Sequence, residues 1–524
     1  MIRVRQIKVD ILNNDESHIL NKLAKALEIN KYDIISYKIK RQSLDARNKD
    51  RILYVYEIDV EVSNEEKVLK NKLSNDIFIS PNEEYAFKKA KNYNNKTIIV
   101  GSGPAGLFAA FILVEGGIKP IIIERGECVE DRIKSVQNFW EQNILNINSN
   151  VQFGEGGAGT FSDGKLNTLV KDKENYSLCV LETFVRFGAP KEILYSYKPH
   201  IGTDILVKVI KNMREYILSK GAQIHYNTLM TDIIIDNNKI KGIEVNNKDI
   251  IECDNLILAI GHSARDTFKM LNEKGLSMQS KPFAVGLRIE HPQDLINRSQ
   301  YGDKYKDFLG AASYKLTHQS SNGHGVYSFC MCPGGYVVNA SSEEKRLAVN
   351  GMSYYKRDSK NANSALVITI NSNDYGESLF AGMEFQQNLE KKAYKLGNGL
   401  IPIQLLRDYI ENKETISLGK VTPCTKGKYK FANLNNLFND ELNSALKEAL
   451  VAFDKKIKNF MMSDAILLGI ESRTSSAIKI LRNELFESNI EGIYPCGEGS
   501  GYAGGITTSA IDGIKIAECI INKD

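Results

Sequence analysis

The residues Gly101-Ser102-Gly103-Pro104-Ala105-Gly106 follow the apolar run Ile98–Val100 and open an apolar stretch of helical character. Such a turn is suited to holding an anion. Gly101 permits the tight turn, Gly103 lets the backbone approach a pyrophosphate, and Gly106 allows close packing of helix on strand. The helix N-terminus adds unpaired N–H donors and the positive end of its dipole. Glu124 ends the next apolar strand, where its carboxylate can accept hydrogen bonds from the two hydroxyls of a ribose. Strand, glycines, helix, strand and terminal acid together point to a dinucleotide.

A second constellation lies near the other end of the chain. In Tyr494-Pro495-Cys496-Gly497-Glu498-Gly499 a strand ends in an acidic turn, and Gly504-Gly505 precede a helix starting near Ile506. An acid there suits the ribityl chain of a flavin, and the helix N-terminus can stabilise negative charge on the reduced ring. This favours FAD over NAD. Between the two lies VQFGEGGAGTFSDGKL, Val151–Leu166, with five glycines. Gly154, Gly156, Gly157, Gly159 and Thr160 are expected to bring backbone close against the pyrophosphate and the flavin ring. The run LILAIG, ending at Gly261, reads as a strand beneath the cofactor.

A flavin moves a hydride once a substrate carbon or a nicotinamide sits near its N5, sometimes with help from an acid or base. Side chains bordering the expected flavin are His262 and Arg265, then Arg288, Glu290 and His291 in GLRIEH, and Glu471 and Arg473 in ESRTSS. His262, Arg288, Glu471 and Arg473 are the catalytic candidates. Arg473 could clamp a carboxylate or phosphate with both prongs, or pair with Glu471 or another acid. His262 could shuttle a proton, or simply hydrogen-bond backbone at a strand end. Cys330-Met331-Cys332 reads as structural, because a disulfide across an extended CxC demands strained geometry. No CxxC pair or histidine cluster suggests a metal.

These residues need a scaffold. Residues 1–92 read as a β-α-β-β-α module of ferredoxin-like type, with Ser17 as a cap for its first helix. Lys88–Lys96 reads as a linker. Residues 93–265 and 490–524 read as a discontinuous Rossmann-type FAD-binding domain, interrupted by an α+β substrate or cap domain over 266–489. The whole is thus α/β. The inserted region shows no second strand–GxGxxG–helix unit.

The segments GSGPAGLFAA, NVQFGEGGAGTFSDGKL, AIGHSARDTF, KPFAVGLRIEHPQ, YSFCMCPGGYVVNASSE, ESRTSSAIKILRN and YPCGEGSGYAGGITTSAIDG resemble one bacterial family, the uncharacterised FAD-dependent (NAD(FAD)-utilising) dehydrogenases. The resemblance runs over nearly the whole chain. It implies FAD and a two-dinucleotide-binding-domain flavoprotein fold related to glutathione reductase, but no substrate. Arg125, Arg132 and Met230 complete the expected cofactor-binding set. Glutathione-reductase-type enzymes carry a cysteine pair on a helix facing the flavin early in the flavin domain, and FGEGGAGTF has none.

Composition bounds the rest. The chain has 524 residues, 42% of them hydrophobic and 25% charged, with a formal net charge of +4. That is too long for one core and too nearly neutral for a field that gathers nucleic acid. Dispersed cysteines and the lack of a signal-like or bilayer-length apolar run fit a cytoplasmic protein without a membrane role. The expected function is an FAD-dependent oxidoreductase passing a hydride between a small-molecule substrate, or NADH or NADPH, and bound FAD. Two alternatives stay open: an RNA-modifying flavoenzyme docking RNA through Lys38, Lys40, Arg41, Arg47, Lys49 and Arg51, and a flavin-binding sensor without turnover.

Overall fold

The computed structural model describes residues 1–91, 93–168, 172 and 174–523; of the expected linker, Asn92 lies outside them. In the first strand, Ile2–Asp10, the buried residues change phase, from Ile2 and Val4 to Ile7 and Val9. A β-bulge takes up that change: the register against Leu53–Val62 shifts between Val4 and Ile7, with Gln6 at φ +58°. All four apolar side chains therefore reach one core.

The N-terminal sheet has the spatial order Ile34–Asp45, Leu53–Val62, Ile2–Asp10, Ile77–Ile79, with helices Glu16–Leu27 and Glu65–Lys72. This is the ferredoxin-like order, completed by the short strand Ile77–Ile79 that sequence reading missed. The first helix is capped by Asp15, not Ser17: the Asp15 carboxylate accepts the His18 N–H at 2.9 Å. The second strand of the module runs without a break from Ile34 to Asp45.

The Rossmann-type sheet is parallel throughout, in the order Ile493–Pro495, Asn255–Leu258, Thr97–Val100, Ile121–Ile123, Gln223–His225. Its outer strand at one edge comes from the C-terminal part of the chain. Helix Pro104–Glu115 begins with Pro at its first turn and is buried along almost its whole length, as its unbroken apolar sequence requires. It packs against the C-terminal helix Ile506–Ile521 within one core that also includes Thr203–Ser219. A three-stranded antiparallel sheet of Met230–Asp236, Lys239–Val245 and Asp249–Glu252 belongs to a second core with the parallel strands.

Residues between the two parts of the parallel sheet build a seven-stranded sheet. Its order is Thr317–Gln319, Gly325–Cys332, Asn361–Ile370, Phe283–Pro292, Ile466–Glu471, Ile401–Leu405, Tyr429–Phe431, antiparallel except for the last pair. Helices Ala381–Gly397 and Asp440–Asp454 contribute to its core. Among the described residues there is no second parallel sheet of the dinucleotide-binding type. A two-stranded ribbon, Met278–Ser280 with Ile478–Ile480, joins the two crossings of the chain.

Candidate active site

Open parallel sheets bind ligands outside the carboxyl ends of their strands, where strand order switches. Here the switch lies between Thr97–Val100 and Asn255–Leu258, and the cavity opens there, with a volume of about 390 Å³. Gly101, with φ +102°, turns the chain at its wall; a Cβ there would stand 2.2 Å from the Ala259 carbonyl oxygen. Gly103, Pro104, Ala105, Glu124, Arg125, Gly154, Gly157, Gly159, Met230 and Gly261 line the same cavity. So do Glu498, Gly504, Gly505 and Ile506 from the far end of the chain.

The remaining expected contacts stand behind the lining. Ser102, Gly106, Gly156, Thr160 and Gly497 are not part of the wall, and they shape it instead. Ser102 donates its Oγ–H and N–H to the Glu124 carboxylate at 2.8 and 2.9 Å. The other Glu124 oxygen accepts the N–H groups of Gly126 and Gly154 at 2.9 and 3.0 Å. A ribose would therefore meet a carboxylate already fixed by four donors.

Arg132 corrects its expectation more sharply. It is fully buried and donates to the carbonyls of Asn150, Val151, Gly154, Glu155 and Gly157. It binds the glycine-rich segment together from behind rather than reaching the cavity. Glu155, which sequence reading passed over, supports the same segment: it pairs with Arg214 at 2.7 Å and accepts the Tyr226 hydroxyl at 2.6 Å.

The same cavity brings His262, Glu471 and Arg473 together with Cys330 and Lys165. Burial, with Arg473 and Arg265 nearby, lowers the His262 pKa to about 3, so its imidazole is neutral. Burial raises Glu471 to about 7 against the opposing pull of Arg288, and raises Glu498 to about 7 as well. Arg288 itself is not in the wall. It lies beneath it, 3.5 Å from Glu471 and donating to the Cys330 carbonyl at 2.7 Å.

Arg473 is paired, but with Glu390 rather than Glu471. Its Nε and one terminal nitrogen donate to the two Glu390 oxygens, each at 3.0 Å, and Arg265 donates to the same carboxylate at 2.8 and 2.9 Å. Glu390 is fully buried, and these guanidiniums hold its pKa far below the usual range although burial works against them. Glu290 and His291 face the core instead: Glu290 accepts the Cys424 N–H and His291 sits 2.7 Å from the Phe460 carbonyl. Glu390 carries no motif; only its remote partners make it legible.

The basic N-terminal residues are partly consumed within the chain. Lys40 pairs with Glu83 at 2.9 Å, Arg47 with Asp45 at 2.6 Å, Lys49 donates to the Ser299 carbonyl, and Arg41 lies over the Tyr197 ring. Among the described residues no helix is long and apolar enough to cross a membrane, and no group of three metal-ligating side chains occurs.

The cavity fits FAD on its own geometry. Both helices that end on it, Pro104–Glu115 and Ile506–Ile521, start at a glycine with no side-chain cap, leaving N-terminal donors for anionic groups. Arg125 Nε and His262 Nε2 are buried there without a hydrogen-bond partner. A Cβ at Gly261 or Gly504 would meet nothing within 4 Å.

Two family models agree on FAD. Residues 94–137 match the family described as "FAD binding domain", and residues 282–474 match "FAD-dependent protein, C-terminal domain-like". Residues 1–61 match a domain of unknown function. An uncharacterised protein of Clostridium beijerinckii is 46% identical over 530 residues, covering 100% of this chain and 99% of its own length. A thiamine thiazole synthase of Aeropyrum pernix is 25% identical over 222 residues, 39% of this chain and 68% of that protein. Among solved structures, a flavin-dependent brominase aligns at 12% identity and a TM-score of 0.41, over 82% of this chain and 79% of its own. The glycine turn, the acidic C-terminal turn and a relative matching from end to end thus converge: the chain belongs to a bacterial family of FAD-dependent proteins, and FAD is its cofactor.

Proposed function

We propose that this FAD-dependent oxidoreductase passes a hydride between its flavin and a small molecule, or NADH or NADPH, held in the cavity. One observation carries the reading: Glu498 and the uncapped N-terminus of Ile506–Ile521 share a single cavity with His262, Glu471 and Arg473. FAD, when bound, supplies the acceptor or donor of the hydride.

The chain's residues divide the remaining work. The Gly101–Gly106 turn and the helix start behind it hold the pyrophosphate, and Glu124, fixed by its four donors, faces the ribose. Gly505 and Ile506 offer helix N–H groups to the ring, and Glu498 faces the ribityl hydroxyls. Glu471, raised to about 7, can give or take a proton near neutrality, and Arg288 beneath it is a positioning residue. His262 is neutral at that pH and offers an unpartnered Nε2. Arg473, anchored on Glu390, lends positive charge and one nitrogen near Ser263 rather than a free fork. In this reading residues 93–265 and 490–524 hold the flavin, residues 266–489 roof it, and the protein works in a cytoplasm, where none of its cysteines is needed as a structural cross-link.

The test is anaerobic. FAD-loaded protein is mixed with a metabolite library that includes NADH and NADPH, and bleaching of flavin absorbance is followed. Rapid reduction by one chemical class, and reoxidation by its partner, is expected. A flavin that nothing reduces faster than free FAD would instead mark a sensor without turnover.

A further inference from the structure

The strand Gly325–Cys332 does not stay extended to its end. Its register against Asn361–Ile370 shifts between Phe329 and Cys332, and Cys330 takes the left-handed conformation at φ +42°. Such a conformation is uncommon for a side chain of this kind and marks a site where the fold imposes it. The bulge removes the objection to a CxC disulfide, because the residues are no longer spaced as in a flat strand. The Cys332 thiol donates to the Cys330 carbonyl oxygen at 3.2 Å, which folds the second cysteine back onto the first.

The surroundings are those of a reactive rather than an inert pair. Cys330 lines the cavity, while Cys332 is buried directly behind it. Lys165, also in the wall, donates from Nζ to the Met331 carbonyl between the two cysteines. Arg288 donates to the Cys330 carbonyl at 2.7 Å. Asp163 and Glu471 are the acids that face the group, Asp163 lying 3.6 Å from Lys165 and Glu471 3.5 Å from Arg288. The Cys332 thiol, followed by Lys165 and Arg288, holds the Cys330 thiol well below its ordinary range even though burial opposes this, and Cys332 keeps its proton. One thiolate beside one thiol, near cations and partly accessible, is the arrangement that thiol–disulfide chemistry uses.

We propose that Cys330 and Cys332 form a second redox centre, a dithiol–disulfide couple that exchanges an electron pair with FAD across the cavity. In one direction the Cys330 thiolate and the Cys332 thiol join in an S–S bond, two electrons pass to FAD, and the single Cys332 proton goes with them, giving the anionic reduced flavin FADH⁻. In the other, FADH⁻ gives up the pair and its proton, the S–S bond breaks, Cys332 is protonated and Cys330 returns to the thiolate. The inference rests on FAD as cofactor and is independent of which small molecule the enzyme oxidises or reduces.

Two measurements on the full-length, FAD-loaded protein decide it. In an anaerobic dithionite titration after mild oxidation with diamide, the wild type should consume about twice the reductant per flavin that C330S or C332S consumes, since each centre takes one electron pair. Equal consumption overturns the proposal. Separately, wild-type protein is denatured in alkylating reagent and its peptides are weighed. After diamide the peptide containing both cysteines should be unalkylated and two hydrogens lighter; after dithionite both sulfurs should carry the label. Labelling of both sulfurs in both samples overturns the proposal too, and this arm needs no variant that must fold.

Discussion

Glu471 sits where the protein's own charges conflict. Burial disfavours its carboxylate, Arg288 favours it, and burial wins, moving the pKa from 4.5 up to about 7. A carboxyl raised on folding contributes stability that is complete below the unfolded value and lost as pH climbs through the folded one. Flavin-free protein should therefore lose stability between pH 4.5 and about 7, with Glu498 and Glu290, also raised to about 7, acting in the same direction. Glu471→Gln should flatten that fall by on the order of 1–3 kcal/mol. Melting temperatures of both proteins over this range check it, and parallel curves would refute the assignment. At this scale the sequence revealed residue types well and partners poorly. Glu124 and Glu498 were legible because a strand end and a glycine turn announce them within a few residues. Arg132 was not, because its task is to gather five carbonyls of a loop whose shape no local pattern states.

Between elements, the cofactor site depends on how closely two helices approach. A Cβ at Gly513 of Ile506–Ile521 would lie 2.1 Å from the Ala105 carbonyl oxygen, on the first turn of Pro104–Glu115. Backbone on an adjoining helix cannot swing aside as a long side chain can. Gly513→Ala should cost about 1–3 kcal/mol, the range for overpacking, and weaken FAD binding because both helix starts move. Gly310, where a Cβ meets nothing within 4 Å, supplies the control: its alanine variant should stay within about 0.5 kcal/mol. Denaturant unfolding and flavin fluorescence titration measure both effects, and a Gly513→Ala protein with unaltered FAD affinity would contradict the coupling. Both helices were readable from sequence, since one is apolar throughout and each follows a glycine turn. Their contact was not, because it joins opposite ends of the chain. The bulge at Cys330 escaped for a related reason: register is a property of a strand pair, and one strand alone does not disclose it.

For the molecule as a whole, Glu390 is where three distant segments meet. Arg265 follows the Asn255–Leu258 strand, Arg473 follows Ile466–Glu471, and both donate to a carboxylate on helix Ala381–Gly397. Glu390→Gln leaves two buried guanidiniums facing a neutral amide, and a loss on the order of 3–5 kcal/mol is expected. Thermal unfolding of the FAD-loaded variant tests this; a midpoint within a degree of the wild type would show the triad to be dispensable. The parallel sheet also has a kinetic consequence. Its edge strand Ile493–Pro495 and the helix Ile506–Ile521 arrive hundreds of residues after Thr97–Val100, so their pairing closes a very long loop, a slow and late event in folding. Until then Asn255–Leu258 is an open strand edge and Pro104–Glu115 lacks its apolar cover. During synthesis on a ribosome, capture of the flavin would thus report that the last helix has docked, and supply of FAD would set how many chains escape aggregation at that exposed edge.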